Sequence, residues 1–491
     1  MQTTTYKGTD KVLIGFILAV LTFWLFANSM MNVSPVMTEK LGMDANTMNI
    51  AVSLAALFSG IFIVVIGGLA DSIGRVKTFK IGLYLAIAGS LLVGLSPKGS
   101  LAVPMLLTGR ALQGLSAAFV MPTSLGMIKI FWEGKERQRA ISLWSIGTFG
   151  GSGLSSLTGG IIASGLDSQW IAGWRWIFFF AVIVAIIALY LTKELPENKR
   201  EGAGKYKIDW GGIIVFMIAM IALQIFITNG NKLGWTNWIT IVLVAITIVF
   251  GYLFVRVEKR SPYAFVDFGL FKNKIFTGAT LANFFINGTS GMLIVSLTLM
   301  QRGAQFSAME AGLLTLGFAI VVILFIRVGE KLLQRFGAKK PIIWGALIIC
   351  VAIILLMQTQ IMTGQYVVLA VIAYSLFGLG LAFFATPATD AALSNLPDSQ
   401  AGSGAGIFKM ASSLGTSFGV AIAAGIYTAV VSRTEPIGWL SNIIGFVGRQ
   451  DNVVIRQGAM LGLAFCLLLA ILVIVSVSTS IPDKKKTDNV K

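Results

Sequence analysis

Long apolar runs separated by short charged segments cover nearly the whole chain. A helix needs about 20 mainly apolar residues to cross a bilayer. Fourteen stretches meet this requirement, at residues 12–35, 47–70, 79–96, 102–129, 138–165, 173–192, 209–229, 237–256, 274–300, 308–328, 340–360, 366–393, 401–430 and 457–481. Strands exposed to lipid would leave backbone groups unsatisfied, and the chain lacks the alternation of a barrel. The pattern therefore predicts an all-α polytopic membrane protein with fourteen transmembrane helices.

Lysine and arginine are concentrated on one side of these predicted spans. If the N-terminus is inside, the inner segments hold 28 of the 38 basic residues and the outer segments hold 8. Because basic residues favour the cytoplasmic side, we expect both termini in the cytoplasm. The largest outer loop is then Arg433–Arg456, where Pro436, Gly438, Trp439 and an apolar patch predict a short interfacial helix or hairpin.

Composition excludes several classes of function. Of 491 residues, 56% are hydrophobic and 12% are charged, about half the charged fraction of a soluble protein. The net charge of +17 lies in loops between apolar runs, which argues against nucleic acid as a partner. Histidine is absent, so the commonest metal ligand is missing, and we expect no metal and no cofactor. Cys350 and Cys466 lie in apolar runs and are not expected to form a disulfide.

One segment between the second and third spans combines glycines with charges. It reads Gly67-Gly68-Leu69-Ala70-Asp71-Ser72-Ile73-Gly74-Arg75-Val76-Lys77. Gly68 and Gly74 permit close backbone approach and positive φ, Asp71 can accept hydrogen bonds, and Arg75 favours the cytoplasmic side. The segment resembles the G-x-L-a-D-x-x-G-R-x-K signature of the major facilitator superfamily. The resemblance implies that Gly68, Asp71, Gly74 and Arg75 form a conformational latch. A hairpin that only satisfies the charge rule is the alternative.

Weak internal repetition divides the chain into two halves. Residues 329–339 are a degraded copy of residues 67–77, and Pro122 in span 4 matches Pro387 in span 12. Spans 5 and 13 both carry ladders of small residues, which let helices touch backbone to backbone. We therefore predict the major facilitator fold, with two parallel six-helix bundles and two inserted helices. The expected division is an N-terminal bundle at 1–203, the inserted helices at 204–262 and a C-terminal bundle at 263–491.

Further motifs resemble one branch of this superfamily, the fourteen-span drug:proton antiporters. They are Arg110-Ala-Leu-Gln113-Gly114, Trp174-Arg175-Trp176 and Asp209-Trp210-Gly211-Gly212. Residues 22–27 and 409–412 are similar to the staphylococcal quinolone-efflux proteins of that branch. The resemblance covers nearly the whole chain. It implies export of amphipathic drugs, dyes and quaternary ammonium compounds across a bacterial cytoplasmic membrane, driven by inward proton flow.

Three departures from that branch bear on the mechanism. Ser155 and Ser156 stand where the antiporter motif of span 5 has Gly-Pro. Many relatives place an acid in span 1, where this chain has Asn28 and its neighbours. Phe408 and Lys409 replace an acidic pair that some relatives carry in span 13. Recognition of cations by buried acids therefore does not carry over to this chain.

Ionisable residues inside a membrane are costly and mark candidate functional sites. By position these are Arg110, Asp390 and Lys409. Arg110 stays protonated and cannot carry a proton, whereas Asp390 and Lys409 can change charge. We predict that Asp390 and Lys409 lie at similar depth on consecutive helices and meet, or share a water-filled pocket, in at least one state. Protonation of Asp390 would then release Lys409. An ion pair that only fixes helix register is the alternative.

A substrate cavity is expected between spans 1, 4, 5, 9, 12 and 13. Its expected polar and aromatic lining is Trp24, Asn28, Asn32, Gln113, Asn283, Phe284, Asn287 and Phe384. Asn28 and Asn32 are four residues apart and share a helix face, as do Asn283 and Asn287. Hydrogen bonds between helices and lipid-facing aromatics are the alternative roles for these side chains.

Three functions follow from these patterns. The leading interpretation is a monomeric, proton-coupled exporter whose partners are small amphipathic substrates, protons and membrane lipids. A second keeps the fold but exports a lipid or a specific anionic metabolite, because two bases accompany one acid within the spans. A polytopic membrane enzyme is the third. The chain lacks histidine, Walker and H-E-x-x-H motifs and paired acids on one helix face, so we do not expect an enzyme.

Overall fold

The structure is a computed structural model that describes residues 6–197, 209–234, 236–261, 263–396 and 398–483. Within these ranges, the side chains of residues 71, 72, 134, 135, 138, 142, 231 and 398–402 are not described. The described chain is helical and contains no strand, as expected for a polypeptide that must satisfy its own backbone in lipid.

Eight α-helices precede the middle of the chain. They are α1 (Asp10–Leu21), α2 (Met30–Leu41), α3 (Ala45–Ile73), α4 (Arg75–Gly94), α5 (Ala102–Phe131), α6 (Gly134–Ser145), α7 (Gly151–Gly165) and α8 (Trp174–Leu191). A π-turn at Thr22–Phe26 and a 3₁₀ turn at Ala27–Ser29 join α1 to α2, so that Asp10–Leu41 forms one span. A second π-turn at Ile146–Gly150 joins α6 to α7.

Eleven further α-helices follow. They are α9 (Trp210–Leu233), α10 (Trp238–Arg260), α11 (Lys274–Gly288), α12 (Gly291–Thr298), α13 (Ala308–Leu314), α14 (Leu316–Phe336), α15 (Lys339–Leu356), α16 (Thr363–Leu393), α17 (Asp398–Val431), α18 (Gly438–Ile443) and α19 (Val453–Ser480). A 3₁₀ turn at Phe268–Lys272 precedes α11, and a third π-turn, Leu299–Gly303, follows α12.

The prediction of a polytopic all-α protein is confirmed. Among the described residues, 13 helices are long and apolar enough to cross a membrane. The remaining expected span, 138–165, is helical from Gly134 to Gly165 but is not among these 13. Glycine, serine and threonine make up much of this run, which lowers its hydropathy. Its small side chains suit a helix that packs closely on other helices.

The chain divides into two compact units. The first comprises Met1–Met220, Ile248–Phe265 and Ser307–Leu313, and the second comprises Ile221–Thr247, Val266–Phe306 and Leu314–Lys491. Each of the inserted helices α9 and α10 is therefore shared between the units. The predicted three-part division stays a prediction, since its boundary at 203–204 lies outside the described residues.

In the first unit, α5 packs against α3 and α4, and α1 packs against α8. Phe16 is fully buried and meets the ring of Phe79 edge-on at 5.2 Å. Gly114 is needed where α5 crosses α3, because a Cβ atom there would overlap the backbone of Ala55. On the inserted helices, the rings of Phe216 and Phe254 pack 4.7 Å apart. Aromatic and small residues together produce this close packing.

In the second unit, α16 packs against α14 and α15, and α11 packs against α17 and α19. The small-residue ladder of α17 lies against α11, where a Cβ atom on Gly419 would overlap the backbone of Gly288. The predicted small-residue contact of span 13 is therefore present, and its partner is α11.

The internal repeat is visible at two turns. In the first unit, only Gly74, with φ of 113°, separates α3 from α4. In the second unit, Gly337 ends α14 with φ of 74°, and Ala338 is the only other residue before α15. Both glycines adopt a backbone conformation that other residues rarely reach. The degraded sequence copy at 329–339 has thus kept a glycine at positive φ at the turn, although its turn is one residue longer.

We predict that Gly419→Ala destabilises the protein by about 1–3 kcal/mol, the usual cost of overpacking. The thermal unfolding temperature of the detergent-purified protein should fall by several degrees. Gly251→Ala is the matched control, since a Cβ atom there has no neighbour within 4 Å. This control should leave the unfolding temperature unchanged or raise it slightly, because alanine favours helix. Equal unfolding temperatures for the two variants would contradict the close contact.

Candidate functional site

Arg110 is buried in α5 and binds the backbone of two other helical spans. Its Nε donates to the carbonyl of Ala51 at 2.8 Å, Nη2 donates to Val52 at 2.9 Å, and Nη1 donates to Ala27 at 2.9 Å. Among the described residues, no carboxylate pairs with this guanidinium. Peptide carbonyls therefore solvate a charge that lipid could not.

Gln113 completes this cluster. Its Oε1 accepts from Arg110 Nη1 at 2.8 Å, and its Nε2 donates to the hydroxyl of Ser90 on α4 at 3.2 Å. Only 4% of Gln113 is exposed. Packing of α4 and α5 covers Gln113 in this conformation, and its role as a lining residue stays a prediction.

The amides of span 1 face the serine pair of span 5. Asn28 Nδ2 lies 3.4 Å from Ser155 Oγ, and Asn32 Nδ2 donates to the carbonyl of Ser156 at 2.7 Å. Asn32 also donates to the carbonyl of Ala308 at 2.9 Å and is fully buried. Asn32 thus joins helices in this conformation, and its role as a lining residue stays a prediction. Asn28 remains half-buried.

Trp24 lies in the π-turn of span 1 and is half-buried. Its ring meets Phe23 edge-on at 5.3 Å, and its Cβ lies near Gly151 at the start of α7. Its indole Nε1 is buried and has no hydrogen-bond partner among the described residues. A donor in that condition can be satisfied by an acceptor on a bound molecule.

The amides of α11 also divide into a buried and an accessible member. Asn283 donates to the carbonyl of Phe408 at 2.7 Å, and Asn287 Nδ2 donates to Asn283 Oδ1 at 2.9 Å. Asn283 is buried, whereas Asn287 and Phe284 are half-buried. Phe384 on α16 is 3% exposed. Asn283 and Phe384 are therefore packed in this conformation, whereas Phe284 and Asn287 keep accessible surface. The lining role of all four stays a prediction.

Asp390 and Lys409 are not paired in this structure. Asp390 is exposed three residues before the end of α16 and accepts from the hydroxyl of Ser394 at 2.9 Å. Lys409 is exposed on α17, and no described carboxylate lies within ion-pair distance of its ammonium. Because α16 ends at Leu393, where the predicted span 366–393 also ends, Asp390 lies in the last turn of the helix.

The predicted latch is helical over most of its length. Gly68 and the backbone of Asp71 lie inside α3, which continues to Ile73, and Gly74 alone forms the turn. The turn between the second and third spans is therefore much shorter than the segment 67–77. Arg75 Nη1 lies 3.3 Å from the carbonyl of Gly126 on α5. The side chain of Asp71 lies outside the part of the chain that the structure describes.

Glu197, which the sequence analysis missed, caps the helix that follows this turn. Its carboxylate oxygens accept from the backbone N–H groups of Val76 at 3.0 Å and Lys77 at 2.9 Å. An anion at a helix N-terminus satisfies orphan donors and the helix dipole. Glu197 is more than 100 residues from the turn in sequence, so no local pattern connects the two.

Arg456 anchors the loop between α17 and α19, another role that the sequence did not reveal. Its guanidinium donates to the carbonyls of Ile361 at 3.0 Å and Val447 at 2.9 Å. Gln457 is fully buried and accepts from the N–H of Ile437 at 2.7 Å. These bonds hold the six-residue helix α18, which confirms the expected short helix, with Trp439 exposed.

The fold and these intramembrane polar clusters define a polytopic membrane transporter. The sequence matches the Major Facilitator Superfamily profile over residues 13–420 and 279–488. The chain belongs to this superfamily, and it is a transporter rather than an enzyme.

Known proteins agree with this assignment. The chain is 46% identical over 432 residues to the quinolone resistance protein NorB of Staphylococcus aureus strain MRSA252, covering 88% of this chain and 91% of NorB. The POT family transporter PepTSo matches the fold with a TM-score of 0.66 at 14% identity, covering 96% of this chain and 97% of PepTSo. The xylose transporter XylE of E. coli, in a partially occluded inward-open conformation, matches the fold with a TM-score of 0.62 at 15% identity. The match covers 96% of this chain and 98% of XylE.

We predict that Glu197→Ala lowers the unfolding free energy by about 0.5–2 kcal/mol, the usual value of a helix cap. Glu194→Ala is the matched control, since Glu194 is exposed and only 3.8 Å from Lys11 and Lys193. Such exposed pairs contribute little. Thermal unfolding of both purified variants measures the difference. If the control loses as much stability as Glu197→Ala, the capping role is wrong.

Proposed function

We propose that this chain exports amphipathic drugs from the cytoplasm by proton antiport through alternating access. The substrates include quinolone-like compounds, dyes and quaternary ammonium compounds. The observation that carries this proposal is the 46% identity, over 88% of the chain, to a protein named for quinolone resistance. Purified protein in vesicles, tested with a fluorescent dye with and without an imposed pH gradient, tests it directly. Dye transport at the same rate with and without the pH gradient would contradict the proposed proton coupling.

Proton coupling is assigned to Asp390 and Lys409, with Arg110 as a fixed charge. Asp390 is exposed and can exchange protons with water, and Lys409 has no carboxylate partner among the described residues. Arg110 binds three carbonyls, which supports a structural and electrostatic role. Neutralising Asp390 changes the local charge and thereby biases one access state over the other.

The substrate-contacting residues in this proposal are those that keep accessible surface. They are Trp24, Asn28, Phe284 and Asn287. Two half-buried aromatic rings offer stacking surface, and two amides offer donors and acceptors, which suits substrates that are apolar with a few polar groups. The buried residues Asn32, Gln113, Asn283 and Phe384 hold the helices that carry them.

Gly68, Asp71, Gly74 and Arg75 act as the conformational latch in this proposal. The support is that Arg75 reaches the carbonyl of Gly126, while Gly74 forms a turn of one residue. A contact of this kind stabilises one arrangement of helices without touching the substrate.

The proposed setting is the bacterial cytoplasmic membrane, with both termini in the cytoplasm. The transporter works as a monomer with protons, small amphipathic substrates and membrane lipids as partners, and without nucleic acid. An exporter of a lipid or a specific anionic metabolite is the second candidate, and the unpaired ammonium of Lys409 favours it. Vesicles that export an anionic solute but no dye would identify that second function.

We predict that Asp390→Asn abolishes export driven by a pH gradient but keeps substrate counterflow, because only the protonatable group is lost. Uptake into inverted vesicles measures both activities. Glu435→Gln, an exposed acid in the loop after α17, is the control and should keep pH-driven export. If Asp390→Asn still drives export with normal pH dependence, the proton is carried elsewhere. Glu310 would be the next residue to test.

We predict that a cysteine replacing Asn442 reacts with a membrane-impermeant thiol reagent added outside intact cells. Asn442 lies on α18 and is exposed, and the positive-inside bias places this loop outside. The native cysteines, Cys350 and Cys466, are buried and should give a low background. Labelling of Asn442→Cys only after the membrane is broken would refute the orientation.

A further inference from the structure

The accessible face of α17 is polar along its first half. The side chains on its other faces, such as Ile407, Phe408 and Leu414, are buried. Between Lys409 and Thr416, the positions that keep accessible surface are Lys409, Ser412, Ser413 and Thr416, and each lies three or four residues from two of the others. This spacing puts all four on one side of the helix. We call these four residues the polar stripe.

The polar stripe does not have the composition of a lipid-facing surface. On α15, in the same unit, the exposed residues beyond Lys340 in its first turn are Trp344, Leu347, Val351 and Ile354. Lipid contact requires such apolar residues, whereas intramembrane polar and charged residues face water-filled spaces or other helices. The composition of the polar stripe therefore favours a water-filled space or another helix, rather than lipid, as its neighbour. Lys409 lies six residues after the start of the span at Ser403, about 9 Å along the helix.

The charge of Lys409 is not neutralised by its own unit. No described carboxylate lies within ion-pair distance of Lys409. On the neighbouring α16, Asp390 accepts a hydrogen bond from Ser394. The only other basic residue in the described lengths of α11, α16 and α17 is Lys274, the first residue of α11. Among the described side chains of these three helices, the polar stripe thus carries one positive charge without an ion-pair partner.

Apolar surface lies beside this charge. Asn283 donates to the carbonyl of Phe408, the residue before Lys409, so α11 is held against α17 at this level. The next residue on α11, Phe284, keeps accessible ring surface, and Asn287 lies one turn away with accessible amide surface. A cation, hydroxyl groups and an aromatic ring are therefore available within one group of packed helices.

We infer that Lys409 binds the carboxylate of amphipathic aromatic acids, while the serine hydroxyls of the polar stripe donate to the same group and Phe284 contacts the aromatic part. A single ammonium neutralises a singly charged carboxylate, whereas it would leave one charge of a phosphate dianion without a counter-charge. This inference rests on the proposed export function and specifies its substrate class. Carboxylic acids, whether anionic or zwitterionic, are preferred over compounds that carry only a permanent cation.

Binding of a matched pair of probes to the purified protein tests the inference. The probes are a fluorescent 4-quinolone-3-carboxylic acid and its methyl ester, which differ in the carboxylate alone. The wild-type protein should bind the acid about tenfold more tightly than the ester, equivalent to one charge-assisted contact. Lys409→Gln should reduce this preference to less than twofold by weakening the acid alone, and Lys409→Arg should keep it. Lys274→Gln is the matched control and should behave like the wild type.

Two results would overturn the inference. One is equal affinity of the wild-type protein for acid and ester. The other is an equal loss of affinity for both probes in Lys409→Gln. In that case the unfolding temperature of Lys409→Gln must show that it is folded, and Lys409→Arg must still bind the ester. Transport is measured separately in vesicles under a pH gradient. If wild-type vesicles move neither probe nor a cationic dye, the proposed export function fails, whereas the acid preference in the binding assay still decides the role of Lys409.

Discussion

Hydrocarbon offers no hydrogen bonds, so polar groups inside the membrane must find their partners within the chain. Arg110 illustrates the strictest form of this constraint, since a permanent charge is solvated by carbonyls from two other spans. One of these carbonyls, that of Ala27, lies where span 1 changes from a π-turn to a 3₁₀ turn. The irregular helix and the buried charge therefore depend on each other. The three spans that meet there are fixed in register.

The same constraint explains why several polar residues that resemble binding groups are structural. The side-chain amide groups of three such residues donate hydrogen bonds to another helix, namely those of Asn32, Gln113 and Asn283. The hydroxyl of Ser155 accepts from Asn28 and its carbonyl accepts from Ser29, while the carbonyl of Ser156 accepts from Asn32. Loss of the antiporter proline is thus accompanied by a hydrogen-bonded seam between spans 1 and 5.

Hydropathy located the membrane helices because a span must be long and apolar whatever its neighbours are. The glycine turn at Gly74 was also foreseeable, since positive φ favours glycine. Hydrogen bonds between residues far apart in the sequence were not foreseeable. Glu197 reaches the turn from beyond span 6, and no local pattern announces it. The positions of Asp390 and Lys409 along their helices predicted that the two residues lie at similar depth. Whether their side chains meet also depends on the rotation of each helix and on the end of α16 at Leu393.

The π-turns at Thr22–Phe26, Ile146–Gly150 and Leu299–Gly303 affect how residues are compared between relatives. A π-turn holds one residue more than a regular turn. Removing that residue would rotate everything beyond it by about 100° around the helix axis. A relative with a regular helix at such a position aligns correctly only if one gap is placed inside the membrane span. An alignment that forbids such gaps would assign Asn28 and Asn32 to the wrong helix face, and with them the polar partners of span 5.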